Sequence, residues 1–274
     1  MAGDGELRAF TDTVWQHFTA FGRHDLPWRS PEPDGSFDPY KILVSEIMLQ
    51  QTQVQRVIPK YHEFLTRFPD AETLAGAPLG DVLTAWNGLG YNRRAKFLWQ
   101  AAQAVLQSHG GKFPADADAL VQLPGVGKNT AGAVMAYAFN MPVPFIETNI
   151  RTVYIYHFFQ NQQGVSDAEL LAVIKQTIDT KDPRTWHWAL MDYGTFLKQT
   201  MGNLNKLSKA YARQAPFQGS KRQIRGQVIR LLSGRPHSQA ELTRAISDDR
   251  LAGVLTDLLH ESMIKKRAGL YSLA

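Results

Sequence analysis

The chain has 274 residues, 44% hydrophobic and 20% charged, which supplies apolar material for one large domain or two smaller ones and excludes wholesale disorder. It has no cysteine, which excludes disulfides, thiolate zinc sites and cysteine-ligated clusters, and no apolar run approaches the ~20 residues of a membrane span. The net charge of +5 is uneven: residues 198–267 hold 14 Lys and Arg against 5 Asp and Glu, a local +9 that leaves −4 elsewhere. Such a basic segment is either a polyanion-binding surface or simply a solvated one.

The acidic start, Met1-Ala2-Gly3-Asp4-Gly5-Glu6, lacks a signal-peptide pattern, so a cytoplasmic protein is expected, nucleoid-associated if bacterial. Apolar spacing predicts an all-α chain. Helices are expected over 7–21, over 40–68 with a break at Pro59, and over 82–86, 95–108, 116–122, 130–138, 149–159, 167–177 and 186–197. The connectors carry the breakers, among them Pro31-Glu32-Pro33-Asp34-Gly35 and His109-Gly110-Gly111. Residues 199–222 are polar and basic and read as a linker or arm. A small unit follows over 223–274, with helices at 224–232, 238–246 and 250–263. Ser238 and Glu241 form a capping-box signature, and the alternation of 264–273 around Gly269 predicts a basic hairpin holding Lys265, Lys266 and Arg267. Three helices and a hairpin resemble a winged helix, with a small helical dock as the other reading.

The most informative stretch is Leu123-Pro124-Gly125-Val126-Gly127-Lys128-Asn129-Thr130, a short apolar turn with two glycines that runs into a helix. Backbone N–H groups beside a helix N-terminus hold a phosphate without side-chain charge. Further on, Phe145-Ile146-Glu147-Thr148-Asn149 leads a carboxylate into another helix. A phosphate clamp followed by a carboxylate points to an enzyme acting on nucleic acid. Glu46 lies in an otherwise apolar helical run. It is either satisfied by a neighbouring donor or a general acid kept protonated by partial burial.

Leu26-Pro27-Trp28-Arg29, Pro39-Tyr40-Lys41, the block Ser45-Glu46-Ile47-Met48-Leu49-Gln50-Gln51-Thr52-Gln53-Val54, Gly88-Leu89-Gly90-Tyr91, the 123–130 hairpin and Met191-Asp192-Tyr193-Gly194 together resemble the helix-hairpin-helix DNA glycosylases, most closely the MutY-type adenine glycosylases. The resemblance implies two helical subdomains within a glycosylase domain over 1–198, an arm over 199–222 and the winged-helix-like module over 223–274. It implies that Glu46 protonates the departing base, that Glu147 stabilises the oxocarbenium-like sugar, and that Asn149 orients this carboxylate while also fitting a helix N-cap. Glu147 stands where the family has aspartate, one methylene shorter. Gln51 and Tyr91 match residues that enter the duplex around the extruded nucleotide, although an aromatic after a glycine turn also suits a core. Arg93, Arg94 and Lys96 read as phosphate contacts or a solvated helix face. Leu123, Gly125, Gly127, Lys128, Asn129 and Thr130 form the DNA-gripping hairpin. Trp28 and Trp86 read as core, and Asp192 as a helix-capping aspartate.

Asn129 replaces the Schiff-base lysine of bifunctional relatives, so hydrolysis without strand cleavage is expected. The family's iron–sulfur cysteines are missing from Lys198-Gln199-Thr200-Met201-Gly202-Asn203-Leu204-Asn205-Lys206, and the Nudix-like C-terminal domain is replaced. No cofactor and no metal site are expected, with a monovalent cation at the hairpin left open by family analogy. The expected partner is double-stranded DNA with a mispaired or damaged base, bound by a monomer. Adenine leads as the excised base. Uracil or thymine mismatch repair, another damaged base, or a non-catalytic DNA-binding protein are the alternatives.

Overall fold

The computed structural model describes residues 3–213 and 216–274, so residues 214 and 215 of the expected arm lie outside the described residues. Fourteen α-helices are described: α1 (Asp4–Phe21), α2 (Pro39–Leu49), α3 (Val54–Arg67), α4 (Ala71–Gly76), α5 (Leu79–Ala85), α6 (Arg93–His109), α7 (Ala117–Val121), α8 (Lys128–Tyr137), α9 (Thr148–Phe158), α10 (Asp167–Thr177), α11 (Pro183–Thr200), α12 (Lys221–Gly234), α13 (Gln239–Ala245) and α14 (Leu251–His260). Three short strands complete the set: β1 (His237–Ser238), β2 (Ile264–Arg267) and β3 (Leu270–Leu273). The chain divides into two compact units. The first holds residues 1–43, 114–121 and 126–213; the second holds 44–113, 122–125 and 214–274.

The first unit is built on α1, α9 and α11. Phe10 of α1 lies 5.1 Å from the tilted Tyr154 ring and packs edge-to-face with Phe158 at 5.0 Å and Trp186 at 6.0 Å. α9 and α11 approach so closely at Gly194 that a Cβ there would lie 2.3 Å from the Asn149 carbonyl oxygen. α10 starts at the capping box of Ser166 and Glu169.

The second unit packs α3, α4, α5 and α6 around Phe64, Leu74, Leu83, Trp86 and Leu98, each no more than 1% exposed. The break in the long helical pattern falls at residues 50–53 rather than at Pro59. Pro59 sits inside α3 on an exposed face, where water can serve the carbonyl left without an N–H partner. At Gln51 the backbone turns to a φ of 54°, which ends α2.

The C-terminal segment belongs to this second unit. Its sheet has the order β1-β3-β2, all antiparallel, with Arg267 opposite Leu270 across a turn in which Ala268 and Gly269 have φ of 48° and 78°. Both turn residues in the left-handed region match a tight hairpin connection. The capping box of Ser238 and Glu241 opens α13 as the sequence predicts. The Gly80 amide donates to the Ala274 carbonyl at 3.0 Å, and the Asn87 amide donates to Ser233 Oγ at 2.9 Å. Glu261, after α14, accepts from both Arg93 (2.5 Å) and Arg225.

Candidate active site and DNA-facing residues

Glu46 occupies α2 between buried neighbours, Ser45 and Val44 on one side and Ile47 and Met48 on the other, and is itself half-buried. The end of this helix is fixed by one cation. The buried Arg94 guanidinium donates to the carbonyls of Ile47 (2.8 Å), Met48 (3.0 Å) and Gln50 (2.6 Å), to Thr52 Oγ1 (3.1 Å), and to the carbonyls of Leu89 (3.0 Å) and Gly90 (3.1 Å). Burial pulls its pKa down to about 10, which leaves it charged at neutral pH. A cation at a helix C-terminus is electrostatically favourable. Arg94 is therefore neither a phosphate contact nor part of a solvated face. It ties the residue 50–52 turn to the residue 89–91 turn. Gln51 and Tyr91, in those two turns, have φ of 54° and 48°, a conformation costing a non-glycine residue about 1–2 kcal/mol. Such strain persists where surrounding bonds over-determine it, and it clusters at ligand-contacting positions. Sequence reasoning missed the role of Arg94 because a basic run at a helix start gives no sign of which member turns inward. Arg93 stays at the surface, where it pairs with Glu261, and Lys96 donates to the Glu261 carbonyl.

In the 123–130 segment, Leu123 and Val126 are buried, so their side chains anchor the turn. Gly125 is required twice by the fold: its φ is 76°, and a Cβ would lie 2.5 Å from Phe97 Cβ. Gly127 is different. Its φ is −88°, and a Cβ there would meet nothing within 4 Å. The fold alone does not demand glycine, whereas close approach of a ligand to the backbone would. Gly127 is also the N-cap of α8, where the positive end of the helix lies beside exposed Lys128 and half-buried Thr130. Gly127→Ala is expected to leave stability within about 0.5 kcal/mol and to weaken duplex binding roughly tenfold, the loss of one charge-assisted hydrogen bond. A melt and a binding titration check this; unchanged affinity would take the phosphate away from this turn.

Asn129 is exposed and also has a place in the fold. Its Oδ1 accepts the Ile146 amide at 3.2 Å and so ties the start of α8 to the segment that delivers Glu147. Glu147 is itself the N-cap of α9, with extended backbone (φ −97°, ψ 161°), and its carboxylate accepts the Thr148 amide at 2.8 Å. Burial raises its pKa above the ordinary carboxylate range, opposed by the Thr148 amide and by Lys198 and Arg151. Asn149 is consequently not the N-cap. It lies one residue inside the helix and donates to Thr195 Oγ1 at 3.3 Å.

Asp192 is no helix cap either. It sits in the middle of α11 and accepts from Arg29 at 2.8 and 2.9 Å and from Arg23 Nε at 2.7 Å. Burial alone would raise its pKa, but the two arginines outweigh it and hold the carboxyl below its usual range. With Gly194 two residues on, this one motif explains how α11 seats both the N-terminal segment and the start of α9.

The residues after α11 do not fit an iron–sulfur cluster, because no thiolate or imidazole is present there. The loop is held by polar side chains instead. Asn205 donates to Thr152 Oγ1 at 2.9 Å, Arg151 donates to Ser208 Oγ at 2.9 Å, and around the parallel Val165–Ser208 bridge the Val165 amide donates to the Leu207 carbonyl while the Lys209 amide donates to the Val165 carbonyl, both at 2.9 Å. Among the described residues no group of three or more His, Asp or Glu side chains is placed to hold a metal ion. No described helix is long and apolar enough to cross a membrane.

Residues 44–176 match the family described as HhH-GPD superfamily base excision DNA repair protein. A curated adenine DNA glycosylase of Mycolicibacterium smegmatis is 33% identical over 92% of this chain and 92% of its own length. The chain spans only 60% of the adenine DNA glycosylase of Buchnera aphidicola subsp. Baizongia pistaciae, at 34% identity. Among solved structures, a thermostable thymine-DNA glycosylase aligns with a TM-score of 0.63 at 25% identity, covering 74% of this chain and 95% of that one. An endonuclease III–DNA covalent intermediate aligns with a TM-score of 0.60 at 18% identity, covering 72% of this chain and 88% of that one, and shows the fold alone. This chain belongs to the adenine DNA glycosylases of the HhH-GPD base excision repair superfamily.

Proposed function

We propose that the chain binds duplex DNA as a monomer, extrudes a mispaired adenine and hydrolyses its N-glycosidic bond, leaving the strand intact. The observation that carries this reading is the Glu147 arrangement: a carboxylate at the N-terminus of α9, its segment tied to Asn129 and its helix backed by Gly194. Extrusion costs a few kcal/mol, and Gln51 and Tyr91 offset it by filling the vacated stack. Glu46 donates its proton to a ring nitrogen, so the base leaves neutral rather than as an anion. General acid catalysis of this kind contributes about 10²–10⁴-fold. Glu147, ionised, stabilises positive charge on the sugar and takes a proton from the attacking water.

Two consequences are measurable. The working form of Glu147 is the carboxylate and its pKa is raised, so excision should fall as pH drops through that raised value. The acid limb of the single-turnover profile is expected above the ordinary glutamate pKa of about 4.3, and Glu147→Asp should move it. A limb at or below the ordinary value, or one indifferent to that substitution, contradicts the assignment. Asn129 has no amine to form an imine, so borohydride should trap no covalent complex with DNA. Efficient trapping would require a lysine nucleophile and overturn the hydrolytic reading.

The test of the function is a duplex panel carrying A, U, T or hypoxanthine opposite G, and A opposite 8-oxoguanine, followed by alkali. Cleavage at adenine supports the proposal. Preferential cleavage at T or U would replace adenine as the substrate, and binding without any cleavage would leave a non-catalytic DNA-binding protein.

A further inference from the structure

The last turn of α11 sets a cation over the start of α9. Gly194 of α11 packs directly on the Asn149 backbone of α9, leaving no room for a side chain, and Asn149 donates to Thr195 Oγ1 at 3.3 Å. Lys198 follows Gly194 by four residues and Thr195 by three, so it occupies the same face one turn on. Helical side chains lean back toward the N-terminus of their own helix. The Lys198 chain is thereby carried over the Gly194 turn, toward the residues that open α9. Glu147 is the N-cap there. Lys198 is exposed, and among the described residues no carboxylate is paired with it.

The other charges around α9 are committed. Arg151, with a side chain 12% exposed, donates to Asp167 of α10 at 2.5 Å and to Ser208 Oγ. Asp192 of α11 accepts from Arg23 and Arg29, and Glu169 of α10 is held in the Ser166 capping box. Lys206, in the loop that packs on α9, is exposed to water. Burial pushes Glu147 toward its neutral form, and Lys198 opposes that push more than Arg151 does. A bound duplex brings phosphate charge and excludes water, and both favour the neutral carboxyl further. Only the ionised carboxylate stabilises positive charge on the sugar. A long flexible stem ending in a compact charge can follow Glu147 as the duplex arrives.

We infer that Lys198 is a positioning residue for the reaction: its ammonium faces the Glu147 carboxylate in the DNA complex and keeps it ionised against the phosphates. This rests on the glycosylase reading above, in which Glu147 is the carboxylate that meets the sugar.

The test is the pH profile of single-turnover excision on a duplex with adenine opposite G, with duplex affinity measured beside it. Lys198→Met should fold with an unchanged melting temperature, since the side chain is exposed. It should raise the acid limb by about half a unit to one unit, which lowers excision on the acid side of the limb about three- to tenfold. The deficit should shrink as the pH rises past the limb. Lys198→Arg should restore the limb, because the charge is kept. A limb that stays in place in Lys198→Met overturns the inference. So does a loss of affinity that is equal at every pH and accompanied by a salt slope lower by about one, which would make Lys198 a phosphate contact only. Glu147→Asp separates the two readings. If that variant moves the limb and Lys198→Met does not, the inference alone fails. If neither moves it, or the unaltered chain excises nothing, the reading of Glu147 fails and the inference fails with it.

Discussion

Replacing Glu46 with glutamine is expected to slow base release by about 10²–10⁴-fold in single turnover, with duplex affinity within roughly threefold of the unaltered protein. Glutamine keeps the shape of the side chain and its capacity for hydrogen bonding. What it loses is the transferable proton. The surroundings make the substitution clean, because the flanking Ser45, Ile47 and Met48 are buried and hold α2 in place. The Arg94 bonds beyond Glu46 go to backbone carbonyls and the Thr52 hydroxyl, none of which the substitution touches. A loss of excision together with a loss of binding would instead mark Glu46 as a structural carboxylate. Equal activity would remove it from the chemistry altogether.

The second large effect concerns stability. Asp192→Asn is expected to destabilise the fold by about 3–5 kcal/mol, because it leaves buried Arg29, with a side chain 4% exposed, beside a neutral amide. That corresponds to a melting point lower by roughly 6–20 °C. The direction of the pKa shift gives a second signature. A carboxyl held below its usual range in the folded state contributes stability that is present above its unfolded pKa and lost as pH falls through the folded one. The unaltered protein should therefore lose stability on acidification below about pH 4, and the variant should lose less over the same window. A change within about 0.5 kcal/mol, typical of surface substitutions, would show that Arg23 and Arg29 find other partners. Activity should fall with stability, since α11 also seats Asn149 through Gly194 and Thr195.

Long amphipathic elements were legible in the sequence. α6, α9, α10 and α11 start and stop within a few residues of their predicted ends, because each carries a continuous apolar stripe and a glycine, proline or capping signal. α4 was missed because six residues with only Ala71 and Leu74 buried give no periodicity, although Asp70 caps it through Thr73. β1 was missed because two residues carry no alternation. The 40–68 break was placed at the proline when the true signal was the polar run Gln50-Gln51-Thr52-Gln53, where the chain must turn through a left-handed residue. Of the proposed site, the two carboxylates and the hairpin are named from motif and chemistry. Arg94, Asp192 and Asn129 could not be placed. Most of their partners lie 17 to 169 positions away, which no local pattern encodes.

The measurement closest to the central claim is the intact mass of the DNA after a single turnover on a duplex with adenine opposite G. A hydrolytic glycosylase predicts free adenine in solution and an uncut strand whose base has been replaced by a hydroxyl at the sugar. An unchanged strand mass, or a strand shortened before any alkali is added, would contradict it.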